Sequence, residues 1–227
     1  MEVNHSTDTI GDVYGCFLLE TADNTGSLDE VFRLRYQAYC QENEFETGQH
    51  GRESDPFDAM SRHLVLRHRP TKMAVGTARL VLPRVCGVGV TLPIEQIINA
   101  SNLRVLPRSR TAEVSHFVLS KELRSAGASS SNFARLILVR GIIQLSSSMR
   151  LTHWCALMEP KLVRLLGIFG IHFIPLGGLV EHRGLRQPSV VCISEMLDRV
   201  RCEKPAIWDF ITSSGIYRPG ELSGDAA

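Results

Sequence analysis

The sequence predicts a mixed α/β domain, one twisted sheet with helices on both faces. Hydrophobic periodicity orders the chain as strand, helix, acidic loop, three strands, helix, strand, helix, strands. In 227 residues a hydrophobic fraction of 44% is enough for one sizeable core. No repeat divides the chain, and no apolar run approaches the ~18 residues of a membrane span.

The elements follow in order. Tyr14 to Glu20 reads as a short strand and Thr21 to Gly26 as a turn. Ser27 with Glu30 three residues on makes a capping-box pattern. That places a helix from there to about Glu42, with Leu28, Val31, Phe32, Ala38 and Tyr39 on its apolar stripe. Phe45 to Ala59 is an acidic loop holding Glu46, Glu53, Asp55 and Asp58. His63–His68 and Ala74–Leu82 form a hairpin across a Pro-containing turn. Cys86 to Pro107 is an excursion with a short helix around Ile94 to Asn99. A strand from Thr111 carries Glu113, and Asn132 to Leu145 is an amphipathic helix. Thr152 to Met158 is the next strand, and Pro160 suits the first turn of the helix behind it. Ile171–Pro175 and Ser189–Ser194 read as the last strands. Residues 1–12 and 214–227 read as flexible ends around one domain, 13–213.

A net charge of +1 gives no global field for nucleic acid. The six cysteines are scattered without a CxxC pair, so no metal site is expected. No signal-peptide pattern opens the chain, and a cytoplasmic location is expected.

Several residues stand out chemically. Arg35 shares the apolar stripe of the first helix and needs a carboxylate there, which Asp55 or Asp58 can supply. That cluster either pins the loop or borders an acceptor site. Arg79 shares a strand face with Val75, Thr77 and Val81; it either faces water at an edge or binds a substrate carboxylate bidentately. In a regular strand Glu113 shares its face with Ser115, Phe117 and Leu119, while His116 falls on the other face. Only a bulge would bring His116 and Glu113 into one pocket. A lone strand Glu either faces solvent or, when buried with a raised pKa, serves as a general base. Arg124-Ser-Ala-Gly127-Ala128-Ser129 is a small-residue turn before a helix, a place where backbone N–H groups can close on phosphate. The arginines of the middle third could steer an acidic carrier protein.

Several separated motifs carry a family resemblance. They are Val31-Phe-Arg-Leu-Arg-Tyr-Gln-Ala-Tyr-Cys40, Glu53-Ser-Asp-Pro-Phe-Asp58, Gly76-Thr-Ala-Arg-Leu-Val-Leu-Pro83 and Glu113-Val-Ser-His-Phe-Val-Leu-Ser-Lys121. Thr152 to Lys161, Gly178 to His182, Arg186 to Pro188 and Trp208 to Thr212 extend the match. The chain resembles the acyltransferases of exosortase (PEP-CTERM) systems. Those are similar to N-acyl amino acid synthases and, more distantly, to acyl-homoserine-lactone synthases. The resemblance implies a GNAT-like N-acyltransferase fold, with no tightly bound cofactor. It implies a long acyl chain on the phosphopantetheine of acyl carrier protein, or on CoA, as donor. It implies an amino-acid amine as acceptor, and membrane contact only through a lipid product. The lactone synthases' N-terminal arginine matches Arg35, their acidic pair Asp55 and Asp58, their strand arginine Arg79 and their strand glutamate Glu113. Their second strand arginine falls on His116, a departure that removes a fixed positive charge.

The mechanism expected on this basis is direct aminolysis of an acyl thioester. Glu113 takes the amine proton, with Glu159 as a second candidate or a helix cap. Arg79 or a middle-third arginine holds the acceptor carboxylate. Phe117, Leu119, Trp154 and Leu157 line the acyl tunnel, and Gly127 to Ser129 take the phosphate. The alternatives are a lactone synthase using S-adenosylmethionine, a short-chain CoA-dependent acetyltransferase, and a non-catalytic acyl-binding module.

Overall fold

A computed structural model describes residues 15–43, 48, 50–83, 92–99, 103 and 106–217. Its sheet begins with three antiparallel strands, β1 (Phe17–Thr21), β2 (Ser61–His68) and β3 (Ala74–Val81). β4 (Thr111–Leu119) adds antiparallel to β3. β5 (His153–Met158) then lies parallel to β4, and β8 (Leu185–Cys192) pairs antiparallel to β5. Short strands β6 (Ile174–Pro175) and β7 (Val180–Glu181) both pair with β8. The mixed sheet expected from the sequence is therefore present.

The parallel pair matters most. β4 and β5 are joined only at Thr111–His153, Ala112–Trp154 and Glu113–Cys155. Beyond Glu113, β4 follows β3 and β5 follows β8, so the two strands part and leave a cleft. Parallel strands need a long crossover. It is supplied by α2 (Lys121–Ser125) and α3 (Ala128–Ser148).

The sheet has unequal faces. On one, Leu138, Ile142 and Ile143 of α3 join Leu66, Leu80 and Ala156 in the main core. The same core takes Leu166 of α4 (Pro160–Ile168), Leu197 and Val200 of α5 (Ile193–Glu203) and Ile211 of α6 (Pro205–Thr212). On the other face, α1 (Thr25–Tyr36) covers Val65 with Val31 and Val118 with Leu34 and Ala38. A further cluster joins Val81 and Cys155 to Leu92 and Ile94.

Some boundaries differ from expectation. The cap of α1 is Asn24, whose side chain accepts from the Ser27 N–H at 2.9 Å. Asn caps as well as Ser does, so the helix starts two residues before Ser27. It continues through a π-turn, Gln37–Gln41. In place of a helix at 94–99 there is a single 3-10 turn, Pro93–Gln96. α2, α5 and α6 are additional to the expected elements, and in α5 Ile193, Met196, Leu197 and Val200 carry helical spacing and are buried. Residues 214–217 form a turn closing on α6, where the Tyr217 N–H donates to the Thr212 carbonyl at 2.9 Å. Residues 1–12 and 218–227 lie outside the described residues, as do 84–91 of the excursion. No described helix is long and apolar enough to cross a membrane.

One buried polar contact ties α3 to the floor of the cleft. The Trp154 indole N–H donates to Ser146 Oγ at 2.8 Å, with both residues buried. Ser146→Ala leaves that donor without its partner. It is expected to lower unfolding stability by about 1–3 kcal/mol in urea denaturation.

Candidate active site

The site grows from an irregularity in β4. Arg79 of β3 stands opposite Ser115 and Thr77 opposite Val118, so two steps on β3 face three on β4. His116 takes φ +48° at this bulge. Ser115 and His116 consequently both lie on the sheet face that α1 covers, where Ser115 meets Arg79 of β3 and His116 meets Tyr39 of the π-turn. Phe117 and Leu119 pack on the main core instead. The expected shared face of Glu113, Phe117 and Leu119 is thereby corrected. The bulge breaks the alternation and sets Glu113 and His116 in the wall of one cavity.

Glu113 lies where β4 and β5 part and is only 3% exposed. One carboxyl oxygen accepts the Ile94 N–H at 2.7 Å. Burial pushes its pKa up to about 8, against the opposing pull of that N–H and of Arg79.

Two arginines knit the acidic loop to the sheet. Arg35 is fully buried, and its Nε and Nη1 donate to Glu53 at 2.5 Å and Asp58 at 2.7 Å. Arg79 donates to Asp55 at 2.7 Å, to Asp58 at 2.8 Å and to Ser115 Oγ at 2.9 Å. Arg35 thus uses Glu53 beside Asp58, whereas Asp55 serves Arg79. Asp55 and Asp58 also close the 3-10 turn Pro56–Met60 by a reciprocal capping box. The water-facing alternative for Arg79 is excluded, because it is 2% exposed. Its Nε and Nη1 bond protein groups, and it lines the same cavity as Glu113 and His116.

Burial would raise the Glu53 carboxyl, but hydrogen bonds from His116 and Arg35 hold it well below the usual range. His116 is pushed down to about 3, by burial first and then by the charge of Arg35. Its imidazole is neutral at pH 7, with Nε2 3.4 Å from Glu53 and its ring edge-on to Tyr39. Glu53, Asp55 and His116 bring ligating atoms within 4.8 Å of one another. The set fits a cation poorly, since Arg35 and Arg79 already hold both carboxylates.

These groups open onto a cavity of about 620 Å³. Its apolar limb runs between β5, α3 and α4, lined by Val139, Ile142, Trp154, Met158 and Leu162. Phe117, Leu119 and Leu157 line it as well. Arg124, Arg135 and Lys161 line another part of the wall, with Arg124 paired to Glu42. Gly127, Ala128 and Ser129 are exposed at the start of α3 and lie outside the cavity wall. Gly127 takes φ +109°, and nothing stands within 4 Å of where a Cβ would be. Glu159 lines the cavity but makes no capping bond to α4; it sits 3.4 Å from Arg186 instead. Sequence reasoning missed Glu53, Tyr39, Arg183 and Arg186. The lone core-facing Arg35 was a signal for Glu53. Tyr39 stands on the apolar stripe and Arg186 in a motif of the resemblance, but nothing local tied them or Arg183 to this site.

A sheet parted beside a buried carboxyl, with a long helix crossing from β4 to β5, is the GNAT-like acyltransferase fold. Residues 34–131 match the acetyltransferase (GNAT) domain model, a span that holds Arg35, the acidic loop, Arg79, Glu113 and Gly127. No curated protein matches the chain. Among solved structures it is similar to FeeM, an N-acyl amino acid synthase from uncultured soil microbes. That match has 14% identity and a TM-score of 0.63 over 81% of this chain and 93% of that one. It is similar to BjaI, a CoA-dependent acyl-homoserine lactone synthase seen with SAM and isopentyl-CoA, at 20% identity, TM-score 0.61, 82% of this chain and 88% of that one. The lactone synthase LasI gives 14% identity and a TM-score of 0.59 over 77% and 88%. At these identities the likeness establishes the fold.

Proposed function

We propose that this chain is an N-acyltransferase that moves a long acyl chain from acyl carrier protein to the amine of an amino acid. The observation that carries the reading is Glu113: a buried carboxyl with pKa about 8, set where the strands part and beside an apolar limb. The apolar limb suits the acyl chain, and the parted strands suit the thioester arm of a phosphopantetheine. The exposed start of α3 suits its phosphate, because uncapped helix N–H groups favour anions. Resemblance to the exosortase-associated acyltransferases supports a carrier-protein donor and a cytoplasmic place of work.

The amine attacks the thioester carbonyl while ionised Glu113 takes its proton. The C–S bond then breaks, and the proton passes to the departing thiolate. Beyond Glu113 one edge of β4 has no strand partner among the described residues, so its backbone N–H groups can meet the oxyanion. No covalent enzyme intermediate is needed, since orienting two substrates supplies much of the rate.

The pH dependence follows from the raised pKa. Below about 8 Glu113 is mostly protonated and cannot accept a proton. kcat/KM is expected to climb as pH passes through that value, beyond the rise from amine deprotonation alone, which Glu113→Gln isolates. The direct test is mass spectrometry of organic extracts from a host expressing the chain. A new N-acyl amino acid supports the reading. A lactone with methylthioadenosine, turnover of acetyl-CoA alone, or carrier binding without product each overturns it in favour of a named alternative.

A further inference from the structure

We propose that the Tyr39 hydroxyl donates to the carboxylate of the acceptor and so selects amino acids over simple amines. The proposal rests on the N-acyl amino acid reading. Tyr39 stands in the π-turn Gln37–Gln41, which the Glu42 N–H closes on the Gln37 carbonyl at 3.0 Å. Such wide turns recur at functional sites. Tyr39 packs there against Leu34, Ala38 and Val118. Its ring also meets His116 edge-on at the bulge of β4, with centroids 5.3 Å apart. Helix and strand together hold the ring, so the direction of its hydroxyl is set by the fold.

A tyrosine hydroxyl taken out of bulk water ordinarily finds a partner. That of Tyr39 bonds no described residue, and it is reachable rather than sealed. The side chain lines the cavity that holds Glu113 and Asp55. Burial raises its pKa, so the phenol keeps its proton and is a donor at neutral pH. The open atoms of this wall fall into two sets. Asp55 Oδ1 takes the Phe57 N–H and Arg79, which leaves Oδ2 without a bond to any described residue. Glu113 Oε2 takes the Ile94 N–H, which leaves Oε1. On the donor side, Arg79 spends Nε on Ser115 and Nη1 on Asp55 and Asp58, while Nη2 bonds no described residue. A zwitterion matches both sets: its ammonium hydrogens meet Asp55 and Glu113, and its carboxylate meets Arg79 Nη2 and the Tyr39 hydroxyl. A simple amine fills only the first set and leaves the hydroxyl unpaired, which a site built to bond a polar group penalises.

The test uses the full chain with decanoyl-loaded acyl carrier protein and the common amino acids, each against the amine that lacks only its carboxyl group. Wild type is expected to prefer the amino acid. Tyr39→Phe keeps the ring. It is expected to lower the kcat/KM ratio of amino acid over amine about tenfold, chiefly by raising the amino-acid KM. Its urea unfolding midpoint is expected to match wild type; a lowered midpoint would show that the protein itself takes the hydroxyl, and overturns the proposal. An unchanged ratio in Tyr39→Phe, or equal use of amine and amino acid by wild type, overturns it while leaving N-acylation intact. Absence of N-acyl product with every amine overturns the N-acyl reading instead. Calorimetric titration with an N-decanoyl amino acid and the matching N-decanoyl amine then decides the hydroxyl alone. A preference for the acid that Tyr39→Phe abolishes sustains it; equal binding, no binding, or a preference the variant keeps ends it.

Discussion

Glu113→Gln is expected to lower kcat/KM for N-acylation by about 10²–10⁴-fold, the usual contribution of a positioned general base. Glutamine keeps the shape and an acceptor oxygen for the Ile94 N–H, but it cannot take a proton. The loss should therefore fall on proton transfer rather than on architecture. Stability provides the control. The folded pKa of Glu113 is raised from 4.5 to about 8. The stabilisation linked to its protonated form is complete below the unfolded value and is lost as pH rises through about 8. Replacing it by glutamine removes that loss, so the variant should hold its stability better than wild type above this range. Wild-type activity at all pH values would end the base assignment, and a collapse of the fold would show that the carboxyl serves structure first.

Arg35→Ala is expected to cost about 3–5 kcal/mol of unfolding stability at pH 7, the range for a buried ion pair left with one partner. Arg35 is wholly buried, and its removal takes the close ion-pair partner of buried Glu53 and leaves Asp58 to Arg79. Both carboxylates are held below their ordinary range, despite opposing burial, Glu53 by His116 and this guanidinium and Asp58 chiefly by this guanidinium. The stability they contribute is present above the ordinary carboxylate pKa and lost as pH falls through the lowered values. The difference between wild type and variant should accordingly shrink on acidification. Adding Glu53→Gln to Arg35→Ala should restore part of the loss at pH 7. Urea denaturation from pH 7 down to about pH 2 measures all three, and an Arg35→Ala variant as stable as wild type would contradict the pairing.

Much of this arrangement was legible from residue order. The alternation around Thr111 to Leu119 marks β4, and the helical spacing after it marks the crossover of α3. A lone arginine on an apolar helix stripe requires buried acid, and the neighbouring loop is acidic. What escaped depended on distance in the chain. Tyr39 and Arg183 meet although one sits in the π-turn after α1 and the other in the β7–β8 turn. The apolar stripe marks Tyr39 as inward-facing without naming its partner, and the β7–β8 turn carries no periodic signal. The C-terminal helices escaped for a different reason: helical spacing is present from Ile193 to Thr212, but the last expected element ends at Ser194.

By itself, the sequence determined the kinds of element, their order and the candidacy of Glu113, because periodicity and local chemistry are properties of neighbouring residues. Tertiary structure alone decided where β4 leaves β5, since parting depends on which neighbour each strand keeps. It also decided that His116 shares a wall with Glu113, because one extra residue against β3 reverses the faces beyond it. And it decided that Arg79 bonds the acidic loop and that Arg183 and Arg186 line the chamber with it, because partners are allotted in space, across elements far apart in the chain.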